Sequence, residues 1–423
     1  MTNGQKKFAA VKGMVDVMPP QSKLWQEIEE AARKVFASYG YHEIRTPVVE
    51  RTELFRRGVG ETTSIVEKEM YSFVDQGEDS LTLRPEGTAS VVRAYIESGA
   101  CVSEPIARYY YMGPMFRRER PQKGRQRQFY QIGCELLGVE SPLADAEVIA
   151  MTAHFLEEVG AEGIALEVNS IGCPECRPSF NEALTGFLKA REEELCDDCR
   201  RRMGRNPMRI LDCKSRTCRE IVDKAPRISA HWCGGCREHF DAVCRALKQA
   251  GVGYAVNERI VRGLDYYMRT AFEFVTDRLG AQSAVAAGGR YDGLVKELGG
   301  PAVAGVGFAL GVERLVLLIE AAGRPQKAED IIFFAVLGEK AQDAVLPIIQ
   351  TLRRDGVCVE WDYASRSLKS QMRRAAKVGA ETVVIIGDDE MGKGLAVVRD
   401  MRAGTQREVR IRDLPMHFVQ IGG

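Results

Sequence analysis

The chain has 423 residues, balanced at 59 basic and 59 acidic, with 45% hydrophobic and 28% charged residues. That is the make-up of a soluble globular protein of two or three domains. No run approaches the ~18 apolar residues of a membrane span, and the first twenty residues lack the apolar centre of a signal peptide, so a cytoplasmic protein with no membrane contact is expected. Zero net charge does not exclude nucleic acid, because binding needs only a local basic face. Basic clusters stand at 117–127, 200–209 and 366–377.

Residues 21–39 place Leu24, Ile28, Ala31, Ala32, Val35 and Phe36 at helical spacing. Ser22 is a candidate N-cap and Gly40 a stop. A strand is predicted over 41–49, running through Pro47, which suits an edge or a bulge. A hairpin over 71–75 and 80–83 delivers Arg84-Pro85-Glu86-Gly87-Thr88 to a helix over 89–98, with Thr88 as its N-cap. Residues 109–116 and 128–132 read as two strands joined by a turn-forming, basic Arg-Pro-Gln-Lys-Gly-Arg loop. Strand alternation puts Met115, Arg117 and Glu119 on one face, and Phe129, Gln131, Gly133 and Glu135 on one face of the partner. A guanidinium, two carboxylates, an amide and an aromatic ring sharing a cleft suit an anionic, ring-bearing ligand.

A helix over 145–159 and a strand over 164–169 follow. Residues 170–250 are rich in Arg and Cys and poor in strands, with helices expected over 177–195 and 230–250, so they read as a helical insertion. Eight of the twelve cysteines lie there as close pairs: Cys173/Cys176, Cys196/Cys199, Cys213/Cys218 and Cys233/Cys236. Two-residue spacing lets both thiolates reach one tetrahedral ion. Structural zinc and reduced, half-buried thiols are the two readings, and His231 and His239 flank the last pair. Strands resume at 254–257, 266–275 and 284–287, and a helix over 312–322 opens with Gly311-Val312-Glu313-Arg314. An arginine at a helix N-terminus faces an unfavourable dipole unless an anion compensates. Beyond a linker at 321–330, strands and helices alternate to 412, giving an α/β unit with a mostly parallel sheet and a terminal hairpin.

The stretch FRRERPQKGRQRQFYQIGCE, residues 116–135, resembles motif 2 of the class II aminoacyl-tRNA synthetases in the form carried by the histidyl-tRNA synthetase family. The helix, strand and proline of 21–49 resemble motif 1, and Gly311-Val312-Glu313-Arg314 resembles motif 3. Val261-Arg262-Gly263-Leu264-Asp265-Tyr266-Tyr267 and Ala287-Gly288-Gly289-Arg290-Tyr291-Asp292 resemble the two histidine-specific stretches. The resemblance runs from Val11 to Val409. It implies an α/β chain: an α+β catalytic domain over 1–325, built on an antiparallel sheet and carrying the insertion at about 170–250, then an anticodon-binding domain over 330–423 with a mixed sheet.

The resemblance also implies an activity: ATP-dependent joining of L-histidine to the 3′ end of tRNA(His), by a cytoplasmic homodimer. Arg117 would bridge carboxylate and α-phosphate, Glu119 accept from the adenine, Phe129 stack on it, and Arg314 grip it or the γ-phosphate. Arg262 would stand at the α-phosphate, making it catalytic with Arg117. Glu86, Thr88, Gln131, Glu135, Arg262, Tyr266, Tyr267 and Tyr291 would hold histidine. Imidazole offers one donor and one acceptor, which Glu135 and Tyr267 would complement. Arg120, Gln122 and Arg125 would meet the tRNA end, and Mg²⁺ would accompany ATP. A silent, histidine-sensing paralogue would lack 331–423 and the motif residues, and both are present here. The family has members without most of these cysteines, so its chemistry does not need them. On the predicted helix over 368–378, Lys369, Arg373 and Lys377 form one basic stripe.

Overall fold

The computed structural model describes residues 8–61, 63–213, 215–279, 284–323, 330–364 and 366–419. The chain divides into two compact units, Met1–Arg324 and Pro325–Gly423. Among the described residues no helix is long and apolar enough to cross a membrane.

The first unit is built on an eight-stranded sheet. Across it lie His42–Glu43, Ala107–Phe116, Gln128–Leu137, Gly305–Gly311, Ala284–Arg290, Met268–Val275, Ala165–Ser170 and Ala255–Val256. The interior pairings are antiparallel, and only the outermost pairing at each edge is parallel. Helices Gln21–Ser38, Pro142–Glu158, Gly234–Gln249 and Val312–Ala321 bury their apolar stripes in one core with Phe36, Phe155, Phe240, Phe272 and Phe308. A buried ionic knot ties that layer down. Asp145 accepts from His239 Nε2 at 2.7 Å and from Arg290 Nε at 3.0 Å, and it also accepts from Thr270. Burial pushes the Asp145 carboxyl up, but His239 and Arg290 together hold it below its ordinary range.

Several predicted elements differ in detail. The strand expected over 41–49 splits into His42–Glu43 and Val49–Arg51, which belong to different sheets. Pro47 has no N–H to give a ladder, so the chain leaves the large sheet there and joins a small three-stranded one. Ser22 does not cap the first helix: Pro20 holds that position without a side-chain bond. Thr88 is not an N-cap either. Gly87 takes the cap position, and the Glu86 carboxylate accepts from Thr88 N at 2.7 Å and Ala89 N at 2.9 Å. The helix expected over 177–195 stops at Lys189, and the one expected over 230–250 starts at Gly234, after a separate 3₁₀ turn Ile228–His231. Helix Thr52–Val59 and the π-turn Ile65–Glu69 were not foreseen.

The insertion is helical, as expected, but mostly in short pieces: Asp197–Met203, Pro207–Asp212 and Arg216–Val222 stand between Arg177–Lys189 and Gly234–Gln249. Its own small core includes Phe180, Leu184, Leu188, Ile210 and Ile221. The second unit is a five-stranded mixed sheet in which Val359–Trp361, Ile332–Val336 and Thr382–Ile386 run parallel and Leu395–Asp400 and Gln406–Arg410 close it antiparallel. Lys369, Arg373 and Lys377 are exposed along helix Leu368–Val378, opposite the buried Gln371 and Ala375.

Candidate active site

The hairpin of Ala107–Phe116 and Gln128–Leu137 pairs residue for residue from Ala107–Leu137 to Phe116–Gln128. One face of it carries Tyr111, Gly113 and Met115 opposite Gly133, Gln131 and Phe129. Glycines make this face habitable. A Cβ on Gly87 or Gly133 would collide with the Tyr111 ring, and one on Gly307 would strike the Glu135 carboxylate. The hairpin is also braced from outside: Gly13 O accepts from Arg127 N at 2.7 Å, and Glu69 O accepts from Arg118 N at 2.6 Å.

Over this face opens a cleft lined by residues from six separate stretches, including Glu86, Thr88, Arg117, Glu119, Arg125, Phe129, Gln131, Arg262, Tyr266, Tyr267 and Arg314. All of these are residues singled out above. Arg117 Nε donates to Pro85 O at 2.8 Å, and its guanidinium sits 5.2 Å from the centre of the Phe129 ring. Arg262 Nη1 donates to Glu273 at 2.6 Å and the guanidinium lies 5.1 Å from the Tyr267 ring centre. Arg314 donates through Nε to Gly124 O at 3.2 Å and through Nη1 to Ala284 O at 2.5 Å. Burial first, and then Arg125 beside it, lower the pKa of Arg314. Burial pushes the neighbouring Glu313 carboxyl up to about 7, although it accepts from Tyr130 N at 3.0 Å.

Other predicted residues sit elsewhere. Glu135 and Tyr291 do not line the cleft: they lie buried behind it, 1% and 0% exposed. Glu135 accepts from Thr88 Oγ1 at 2.7 Å and from the Tyr291 hydroxyl. Burial pushes its carboxyl up to about 8, with both hydroxyls pulling the other way. Arg120 and Gln122 are exposed on the loop, away from the cleft. Arg125 turns inward and donates to Glu119 Oε2 at 2.8 Å, so one oxygen of the carboxylate expected to meet adenine is held by the loop's own cation. Glu86 is buried with both oxygens on backbone N–H groups, and burial raises its pKa despite them.

Tyr111, Glu273 and Glu313 also line the cleft and were not singled out. Tyr111 shares strand parity with Met115 and Arg117, so alternation alone could have found it. Four polar atoms in the cleft wall are buried without a partner: Tyr111 Oη, Gln131 Oε1, Arg262 Nε and Tyr266 Oη. Buried polar groups are nearly always satisfied in native proteins. Their gathering in one cleft marks a place built for a polar ligand.

The cysteines also come together. Cys173, Cys176, Cys233 and Cys236 form one group, and Cys196, Cys199, Cys213 and Cys218 another, with all sulfurs of a group within 4.8 Å of one another. Neither histidine joins them: His239 bonds Asp145, and His231 Nδ1 lies 3.1 Å from Ser179 Oγ.

A mainly antiparallel sheet whose central hairpin, basic loop and arginine-bearing C-terminal helix surround one cleft is the architecture of a class II aminoacyl-tRNA synthetase. Residues 13–315 match the family model described as histidyl-tRNA synthetase, and residues 332–420 match the anticodon binding domain. The histidine–tRNA ligase of Geobacter sulfurreducens is 55% identical over 405 residues, spanning 95% of this chain and 97% of its own. That of Syntrophotalea carbinolica is 50% identical over 413 residues, 98% of each chain. The crystal structure of apo histidyl-tRNA synthetase from S. aureus superposes with a TM-score of 0.82 at 35% identity, covering 98% of this chain and 100% of that one. The chain belongs to the histidyl-tRNA synthetase family.

Proposed function

We propose that the chain is a histidine–tRNA ligase whose cleft activates L-histidine with ATP and passes it to tRNA(His). The four unpartnered buried polar atoms among arginines and carboxylates carry this reading, and kinship with histidine–tRNA ligases at 55% identity supports it. In the first step the histidine carboxylate attacks the α-phosphorus, an adenylate forms and pyrophosphate leaves. In the second, a hydroxyl of the tRNA terminal adenosine attacks the acyl carbon and AMP leaves.

Each residue has a job that follows from its setting. Arg117, pinned through Nε to Pro85 O, can turn its remaining nitrogens to the carboxylate and α-phosphate. Arg262, pinned by Glu273, offers its unpartnered Nε from the other side. Both stabilise charge that spreads in the transition state, and they are held in advance of it. Phe129 gives adenine a stacking face, Glu119 an acceptor, and Arg314 a cation for the ring or the γ-phosphate. Gln131, Glu86, Thr88, Tyr266 and Tyr267 hold the amino acid. Glu135 and Tyr291 act from behind, keeping Thr88 and the tyrosines in place. Mg²⁺ on the β- and γ-phosphates would ease pyrophosphate departure.

Residues 1–325 are the catalytic domain and 330–423 the anticodon-binding domain in this reading, with Arg120, Gln122 and Arg125 near the tRNA end. The partner is a second copy of the chain. Val49, Phe73 and Val74, exposed on the small sheet, supply apolar surface for that contact. The cytoplasm supplies the ATP and tRNA. The two thiol groups are read as structural zinc sites rather than reduced thiols. Arg262→Ala is expected to abolish histidine-dependent exchange of pyrophosphate into ATP while histidine still binds. Full exchange in that variant would refute the assignment, and charging of bulk tRNA by an amino acid other than histidine would refute the specificity.

A further inference from the structure

Resting on the zinc reading above, we propose that the insertion is a zinc-dependent clamp on the loop that carries Arg262, Tyr266 and Tyr267. The metal arrangement is specific. In a zinc tetrathiolate with Zn–S near 2.3 Å, neighbouring sulfurs stand about 3.8 Å apart, whereas a disulfide needs about 2.05 Å. Here Cys173–Cys176 is 3.5 Å, Cys173–Cys233 3.9 Å, Cys176–Cys236 3.7 Å and Cys196–Cys213 3.8 Å. Each group also receives a backbone N–H on a sulfur: Cys233 N on Cys176 Sγ at 3.2 Å, and Cys196 N on Cys218 Sγ at 3.3 Å. Second-shell donors of this kind fix the orientation of metal ligands.

The two sites are nested. Cys173/Cys176 stand at the start of the insertion and Cys233/Cys236 near its end, so their group closes the root. Cys196/Cys199 and Cys213/Cys218 close the segment in between. The root group packs against Trp232 and Met268, the latter opening the strand that follows the loop.

Residues 262–267 contain neither helix nor strand, so their placement depends on neighbours. Three insertion side chains contribute to it, alongside Val59 O, which accepts from Asp265 N at 3.3 Å, and Glu273, which accepts from Arg262. Arg177 Nη2 donates to the Tyr267 carbonyl. Asn206 Nδ2 donates to Asp265 Oδ1 at 3.0 Å, and Arg209 Nη2 donates to Gly263 O at 2.7 Å and Asp265 Oδ1 at 3.2 Å. Arg177 directly follows the ligand Cys176. Asn206 and Arg209 lie between the ligands Cys199 and Cys213. Each site therefore fixes one side of the grip, the root site at Tyr267 and the other at Gly263 and Asp265.

The test measures zinc content and pyrophosphate-exchange kinetics on the full chain. Wild type is expected to hold about two zinc per chain, and Cys236→Ser and Cys213→Ser to lose one each. Each loss is expected to raise the histidine KM about tenfold and, because Arg262 rides on the same loop, to lower kcat, with the ATP KM changing less than about twofold. Arg177→Met and Arg209→Met should keep their zinc and still raise the histidine KM. These two decide the matter should the cysteine variants not fold. Zinc lost without a change in histidine KM, or anchor variants with wild-type KM, overturns the clamp and leaves the zinc reading standing. Wild-type protein free of zinc overturns that reading and the metal dependence together.

Discussion

The cleft and the insertion solve the same problem, holding polar side chains still, by opposite means. In the cleft, strand register does the work. Phe129, Gln131 and Gly133 face one way because they alternate on a strand paired on both sides, by Ala107–Phe116 and by Gly305–Gly311. In the insertion no strand is present among the described residues, and helices such as Asp197–Met203 and Arg216–Val222 have only 7 residues. Helices that short are not stable alone. Their order comes from a small apolar core, beside which thiols distant in sequence gather. Strand register needs no ligand, whereas a metal bound at these thiols would depend on metal supply and on reduced thiols.

The largest expected effect tests the register half. Arg117→Ala should cost about 10²–10³ in the rate of adenylate formation, the toll of removing one preorganised donor to developing charge. It should leave thermal stability near wild type, since strand pairing does not depend on that side chain. A stability loss that accounts for the missing activity would break the contrast. Next, stripping metal with a chelator should expose residues 196–218 to limited trypsin digestion while the paired strands Ala107–Phe116 and Gln128–Leu137 stay resistant. Equal cleavage in both regions, or no change in either, would show that thiol clipping does not distinguish them.

A smaller effect separates the cleft floor from its rim. Glu135 is held near 8 in the fold against an ordinary 4.5. A raised value means the fold binds its proton more tightly than the unfolded chain does. The resulting stability is complete below about pH 4.5 and is lost as pH rises through about 8. Glu135→Gln has no proton to lose, so its melting temperature should gain on the parent between about pH 5 and pH 8. A constant difference across that window would contradict the burial argument. The smallest effect lies outside both regions. Replacing Lys369, Arg373 and Lys377 by alanine should lower the salt slope of tRNA binding by about two to three, if each meets a phosphate. An unchanged slope would assign the stripe to solvent.

The legible part of this molecule was the part governed by local periodicity. Alternation along 109–135 sufficed to bring Met115, Phe129 and Gln131 to one face, and the βαβ rhythm after 330 foretold the parallel strands Val359–Trp361, Ile332–Val336 and Thr382–Ile386. Features set by tertiary return were not legible. Nothing local says that Cys173 meets Cys233 rather than Cys196, because the answer depends on where helix Gly234–Gln249 comes back to the sheet. Nor does local sequence say that Glu135 withdraws behind Thr88, or that Arg125 folds inward onto Glu119. Side-chain direction at those places is decided by what else is buried there. Pro47 was read as an edge or bulge within one strand, and the break there, with the small ladder across to Leu81 and Leu83 that follows it, was not legible locally.

The brace between Gly13 and the hairpin has a practical side. Gly13 adopts a φ of +86°, and a Cβ there would press against Arg127 and Pro121. The basic loop is thus fastened to the segment ahead of helix Gln21–Ser38, with Lys12 O also accepting from Arg127 at 3.4 Å. A side chain at position 13 would therefore loosen the basic loop from outside the cleft.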